Sequence, residues 1–181
     1  RSPTGTKLFQ ENRLMQPQRN TQTAINEELE TIDHKIIDGK LVAMKIRAEV
    51  AVRVDRLVEK GLRPKIASIS VGDNSAVSVY IRNQKNAAES VGIDFDHLNL
   101  VASIGEDGLL EKIQQLNASS SVTGIIIQRP IPDDISIKKV QTAINPCKDI
   151  EGMNPTSIGN IVYNDLELGP CTAVAAVELL K

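Results

Sequence analysis

Short apolar runs and stretches of helical spacing alternate along this chain from Lys35 onward, and that alternation constrains the fold more than any other feature. KIIDGK is an apolar start with a turn at Asp38-Gly39. Leu41, Met44, Ile46, Val50, Val52, Leu57 and Val58 then recur at helical spacing up to Gly61, and Pro64 cannot continue that helix. KIASISVG reads as a buried strand ending at Gly72. Asp73 or Asn74 can cap the next helix, from about Ser75 to Val91, which Gly92 stops. Ile93 to Leu100 alternates as a second strand. Glu106 to Leu116 is an amphipathic helix through Leu109, Leu110, Ile113 and Leu116. Val122 to Gln128 is the most apolar strand and stops at Arg129-Pro130. Ile135 to Ala143 reads as a short helix, and Pro170 precedes a final apolar helical run to Leu180.

Strands separated by helices are joined by right-handed crossovers, so the expectation is an α/β domain with a mainly parallel sheet and helices on both faces. Ligands of such folds bind beyond the carboxyl ends of the strands. Three segments reach those ends: Val71 to Tyr80, Gln128 to Pro132, and the loop Pro146 to Asn154.

Composition narrows the function classes. No apolar run approaches the roughly 20 residues that a membrane helix needs, so no membrane partner is expected. A formal net charge of -2 argues against a nucleic-acid partner, which calls for a basic face. Two Tyr and two Phe leave no stacking platform for single strands. Two cysteines, Cys147 and Cys171, make neither a disulfide framework nor a zinc site. Asp149 and Glu151, two apart, suggest a cation site, but no acid or His cluster completes the coordination, and no metal is expected. The sequon Asn117-Ala-Ser is read as chance, without a secretory signal beside it.

Residues 1–34 read differently from the rest. They are polar, lack an apolar h-region, and up to Ile25 set Glu11 alone against Arg1, Lys7, Arg13 and Arg19. A solvated extension is the preferred reading, and the bias is weakly similar to that of a mitochondrial transit peptide. Ala24 to Leu29 could form a short helix. The domain itself is expected to run from residue 35 to 181.

The blocks VGDNSAVSVYIRNQKNAAESVGI, GIIIQRPIP, NPCKDIEGMNP and GPCTAVAAVELL, in that order, resemble the bifunctional methylenetetrahydrofolate dehydrogenase/cyclohydrolase family. The resemblance covers about Lys35 to Lys181 and implies the folate-binding catalytic domain. The implied activity is one-carbon metabolism: oxidation of 5,10-methylene-tetrahydrofolate to the methenyl form with NAD or NADP, then hydrolysis to 10-formyl-tetrahydrofolate. Partners so implied are tetrahydrofolate derivatives and a second copy of the chain, since the family is usually dimeric through its cofactor domain. Cytoplasm and mitochondrial matrix both fit.

The resemblance assigns roles residue by residue. Tyr80 begins the family's Tyr-x-x-x-Lys motif, in which the tyrosine packs on the folate rings and the lysine manages a proton; taken alone it is a helix tyrosine on the domain surface. Gln84 stands where that lysine belongs, and Lys85 is rotated about 100° away on a helix. Gln128 matches the family's glutamine at the mouth of the site; taken alone it is a strand-end side chain in water. Its amide offers both a donor and an acceptor. Glu151 stands for the aspartate that binds the amino-pyrimidine edge of the pterin, where a carboxylate faces a donor pair. Pro170, Cys171 and Thr172 match the family's Pro-Cys-Thr, with Cys171 expected to pack rather than attack, because no histidine partner is evident.

Several positions depart from the pattern. Val77 replaces a serine, Arg129 an aliphatic residue, and Ala173 and Ala175 a proline and a glycine. Glu151 adds a methylene. Gln84 with Glu151 is similar to the monofunctional NAD-dependent dehydrogenases of fungi. A general acid/base must gain and lose a proton, which an amide cannot do near neutral pH, so cyclohydrolase activity is expected to be weak or lost. Hydride transfer depends mainly on alignment of two rings, so dehydrogenase chemistry remains expected. No Gly-x-Gly-x-x-Gly occurs between Arg1 and Lys181. In the family the resemblance points to, the Pro-Cys-Thr block is followed by a Rossmann domain that binds NAD(P), and that domain is expected outside this chain. The alternative is a non-catalytic folate-binding or regulatory paralogue. His34 and His97 lie outside every matching block, no HExxH spacing exists, and they receive no role.

Overall fold

The computed structural model describes residues 37–73, 75–165 and 168–181, with Ser75 and Ala76 described by their backbone alone. The expected extension, the Ala24 to Leu29 helix and the first two residues of KIIDGK lie outside the described residues. The chain divides into two units, residues 1–45 and 46–181.

In the first unit, Asp38 does not make the expected turn. Its Oδ1 accepts the backbone N–H groups of Lys40 at 2.9 Å and Leu41 at 3.2 Å, capping helix α1, Gly39–Glu59. The helix continues into the second unit, where Val54 is its buried contact.

The second unit holds a three-stranded parallel sheet in the order β2-β1-β3, formed by β1 (Lys65–Val71), β2 (Asp94–Leu100) and β3 (Gly124–Ile127). Ile66 pairs with Phe95 on one side and Gly124 on the other, and Ile69 pairs with Leu98 and Ile127. The last strand is shorter than the Val122 to Gln128 expected. Its flanks are still tied to β1, through Thr123 N–H to the Lys65 carbonyl at 2.9 Å and Gln128 N–H to the Ile69 carbonyl at 2.8 Å.

The two-residue period of the strands splits the core in two. Ala67, Ile69, Val71, Ile125 and Ile127 point to one face, against Leu109 and Ile113 of α3 (Gly105–Ala118) and Val140 of α4 (Ile137–Ala143). Phe95, Ile126 and the half-buried Ile66 point to the other, against Ile81 and Ala88 of α2 (Ser75–Ser90). Ile69, Leu109 and Ile113 are fully buried, each worth about 1.5–3 kcal/mol of apolar transfer. Helices therefore cover both faces, as the alternation predicts.

The α2 helix ends as expected at Gly92, with φ +83°. Ile93 N–H reaches the Ala88 carbonyl at 3.0 Å and Gly92 N–H the Glu89 carbonyl at 3.1 Å, the paired bonds of a left-handed glycine stop. A Cβ there would stand 3.2 Å from Val54, so the stop also lets α1 pack closely.

Other boundaries differ. A 3-10 turn, Ala102–Ile104, precedes α3. The α4 helix starts two residues later than expected, because Ile135 is buried in a turn on Pro132 and Ser136 caps the helix through the Lys139 N–H. A second 3-10 turn, Pro146–Lys148, and helix α5, Pro155–Val162, were not expected. The signal for α5 is Asn154-Pro155: Asn154 Oδ1 accepts the Thr156 N–H at 2.8 Å, and proline suits the first helical position. The last helix, α6, spans Cys171–Leu179. The Asp73 carboxylate accepts from Asn99 Nδ2 at 3.3 Å, and Asn74 lies outside the described residues.

Candidate functional site

The α2 face of the sheet changes character along the strands. Phe95 and Ile126 make it apolar toward the amino ends. The next positions on that face are Ser68 and Ser70 of β1, His97 and Asn99 of β2, and Gln128 after β3. Polar side chains thus gather at the carboxyl ends, where a parallel sheet presents its ligand site.

Two polar groups form there. Gln128 is buried, and its Nε2 donates to Ser68 Oγ at 2.9 Å and to Gln84 Oε1 at 2.7 Å. Both amide protons are spent in these bonds, so the carbonyl Oε1 is what Gln128 has to offer a ligand. Beside it, Ser70 Oγ donates to Asn99 Oδ1 at 3.0 Å and lies 2.9 Å from His97 Nε2. Burial lowers the His97 pKa, which favours a neutral ring.

Tyr80 and Gln84 are one helical turn apart on α2 and share a face. Gln84 is half-buried against Gln128, whereas the Tyr80 ring is 60% exposed and free to lie along a ligand. Lys85 points away and pairs with Glu89 at 3.7 Å across exposed side chains, so it does not replace the family lysine. Val77 packs into the apolar cluster of Ile81 and Phe95, which accounts for an aliphatic residue at that position.

The third part is the loop after α4. Glu151 is half-buried, and its carboxyl lies near enough to the backbone N–H of Ile127, the residue before Gln128, for that dipole to favour the charged form. Burial pushes its pKa up, the Ile127 N–H and the Arg129 guanidinium pull it down, and Asp149 pushes it up again. Asp149 points the other way. It is 2% exposed, and its Oδ2 accepts the Asn154 N–H at 2.7 Å and the Ser157 hydroxyl at 2.8 Å. The two acids thus divide their work, one organising the loop and one facing the strand end. Among the described residues no three His, Cys, Asp or Glu side chains converge to hold a metal.

Gly152 joins this loop to the last segment. Its φ is +66°, and a Cβ would stand 2.5 Å from the Gly169 carbonyl carbon and 2.8 Å from Pro170 N. That close approach sets Pro170 and Cys171 beside Ile150 and Glu151. Cys171 Sγ donates to the Ile150 carbonyl at 3.2 Å. Burial first, then Glu151 and Asp149, raise its pKa, which holds the thiol protonated and unsuited to attack. Thr172 follows, exposed, on the first turn of α6.

Reading the sequence missed Ser68, the partner that buries Gln128, and Lys148 and Asn154, which fasten the loop. Ser68 was visible as a polar residue inside an apolar strand. The Asn117 sequon is absorbed by structure: Asn117 Nδ2 donates to the Ala143 carbonyl at 2.7 Å, and its Oδ1 accepts the Asn145 N–H at 2.9 Å.

A parallel sheet with helices on both faces defines an α/β domain, with polar side chains gathered at its strand ends. The chain belongs to the tetrahydrofolate dehydrogenase/cyclohydrolase family, whose catalytic domain is matched by residues 37–151. It is 53% identical over 151 residues to bifunctional protein FolD 2 of Mesorhizobium japonicum, covering 82% of this chain and 49% of that protein. The fold superposes on a 5,10-methylenetetrahydrofolate dehydrogenase from the silkworm Bombyx mori with TM-score 0.77 and 42% identity, over 80% of this chain and 50% of that one. It also superposes on a Trypanosoma brucei methylenetetrahydrofolate dehydrogenase-cyclohydrolase, solved with NADP cofactor and inhibitor, with TM-score 0.74 and 30% identity over 80% and 50% of the two chains. The chain spans about half the length of the curated relatives it matches.

Proposed function

We propose that this chain is the folate-binding part of a methylenetetrahydrofolate dehydrogenase of one-carbon metabolism, with weak or absent cyclohydrolase activity. The observation that carries the reading is the bond between Gln128 and Gln84 at 2.7 Å, one residue along from Ile127, whose N–H lies near the Glu151 carboxyl. Three elements distant in sequence bring an amide pair and an acid to one strand end, beside a helix tyrosine.

Each group has a task in holding 5,10-methylene-tetrahydrofolate. The Tyr80 ring stacks on the fused rings. The Glu151 carboxylate accepts from the donor pair of the amino-pyrimidine edge. Gln128 Oε1 accepts from a second polar edge, and Gln84 Nε2 donates. Pro170, Cys171 and Thr172 wall the side of Glu151. Gln84 does not exchange protons near neutral pH, so water attack on a methenyl bridge lacks its acid/base, a loss of about 10²–10⁴-fold.

The residues present do not fit NAD or NADP. The turn between β1 and α2, Val71 to Ser75, carries the single glycine Gly72, and the QRPIP turn after β3 carries none. A pyrophosphate needs a glycine-rich strand–helix turn. The cofactor site is proposed to lie on polypeptide outside these 181 residues, and a homodimer in the cytoplasm or mitochondrial matrix completes the reading. Among the described residues no helix is long and apolar enough to cross a membrane.

Titration with 5,10-methenyl-tetrahydrofolate tests the proposal. Saturable binding is expected, weakened at least tenfold by Tyr80→Ala and by Glu151→Gln. A wild-type chain that shows no saturable binding overturns the reading.

A further inference from the structure

Lys148 uses all three of its ammonium protons on one target. Its Nζ donates to the carbonyls of Leu116 at 2.9 Å, Asn117 at 2.7 Å and Ser119 at 2.7 Å. These are the last carbonyls of α3 and its cap, which a helix leaves without partners and which carry the negative end of its dipole. The half-buried ammonium has no proton left for a ligand. An extended residue spans roughly 3.3 Å, so Lys148 stands on the order of 10 Å along the chain from Glu151.

Every residue between the two is fixed. Asp149 pairs with Ile125 as an isolated bridge, and its carboxylate is held by Asn154 and Ser157. Ile150 presses on Gly124, where a Cβ would lie 2.6 Å from Ile150 Cγ2, and its carbonyl accepts from Cys171. Glu151, two residues past the Ile125–Asp149 bridge, then comes near the Ile127 N–H, which favours its charged form. The segment is joined to β3 at the Ile125–Asp149 bridge, and Lys148 ties its upstream end to the carboxyl terminus of α3.

We infer that Lys148 is a positioning residue for the pterin site: by docking the loop on the end of α3 it sets the register in which Glu151 meets the end of β3. The inference rests on the folate reading above. It assigns Lys148 an effect on ligand affinity that passes through Glu151 and not through contact with the ligand.

A double-mutant cycle tests it, with affinity for tetrahydrofolate measured by calorimetry on the 181-residue chain. Lys148→Met, which keeps the stem and removes the three donors, is expected to weaken binding about tenfold beside Glu151 and to have no effect in the Glu151→Gln background. Equal losses in both backgrounds overturn the inference while leaving the folate reading intact. Absence of saturable binding by the wild-type chain overturns the folate reading instead. Amide exchange gives a second measurement that needs no folate. Lys148→Met is expected to speed exchange at Ile127, whose N–H lies near Glu151, and to leave Gln128, tied to the Ile69 carbonyl, unchanged. Equal acceleration at both amides counts against the inference. Should Lys148→Met fail to fold, Lys148→Arg keeps the charge and donors on a longer stem, and the same cycle and exchange measurements decide.

Discussion

Gln128 Nε2 donates to Gln84 Oε1 across 2.7 Å, joining a strand end to a helix 44 residues earlier in the chain. Two neutral amides therefore hold each other at the centre of the proposed site. An ammonium at position 84 could meet Gln128 only through the carbonyl oxygen, so the amide of Gln128 would have to turn, and the Ser68 hydroxyl would then donate to that oxygen instead of accepting from Nε2.

Gln84→Lys restores a group able to gain and lose a proton. Hydrolysis of 5,10-methenyl-tetrahydrofolate, followed by its absorbance, is expected to rise by about 10²-fold or more over wild type. A wild-type chain that already hydrolyses the compound as fast as the variant would show that Gln84 is not what limits this chemistry.

Burial holds the Glu151 carboxyl above the ordinary glutamate value. The folded chain then keeps this proton more tightly than the unfolded chain, so the contribution to stability is full below the unfolded value and is lost as pH rises through the raised one. Glu151→Gln removes that dependence. Its stability relative to wild type should climb with pH across this window and level off above it, as measured by urea unfolding at a series of pH values. A constant difference at every pH would contradict the assignment. Folate affinity should rise over the same window, because the carboxylate is the form that accepts from the amino-pyrimidine edge.

Asp149→Ala leaves the buried Asn154 N–H and Ser157 hydroxyl without their acceptor. A loss of about 1–3 kcal/mol is expected for each donor left unsatisfied. Urea midpoints of Asp149→Ala and of the single change Ser157→Ala read it. The first should fall well below the second, and equal midpoints would mean that the backbone bond to Asn154 carries no weight.

Gly152→Ala places a Cβ 2.5 Å from the Gly169 carbonyl carbon at a φ of +66°. Backbone meets backbone there, so no side chain can give way. The variant is expected to lose about 1–3 kcal/mol of stability from strain, and to lose folate affinity as the loop separates from Pro170. A melting temperature and an affinity both equal to wild type would refute the close packing of these two segments.

The expectation of a parallel sheet covered on both faces came from spacing. It held because periods of two and of about 3.6 sort side chains before any contact forms: Ala67, Ile69 and Val71 point one way along β1, and Ser68 and Ser70 the other. Helix α5 was passed over because it is only eight residues long and its start is marked by a capping residue rather than by a periodic run. The starts of α4 and of β3 moved by two residues because tertiary contacts, such as the burial of Ile135, outweigh local preference.

The candidate site was legible as residue types and less so as roles. Sequence alone determined that an amide stands at position 84, a longer acid at 151 and an aromatic four residues before Gln84, since those are covalent facts that no folding alters. It also determined the crossover order that puts the carrying segments at one end of the sheet. Only the tertiary structure decided that Asp149 turns inward while Glu151 turns to the strand end, that Gln128 spends its amide protons on Ser68 and Gln84, and that Lys148 faces the end of α3. For Gln128 and Lys148 those choices depend on which donors and acceptors meet across 29 to 60 residues of chain. No local pattern of residues records a partner at that separation.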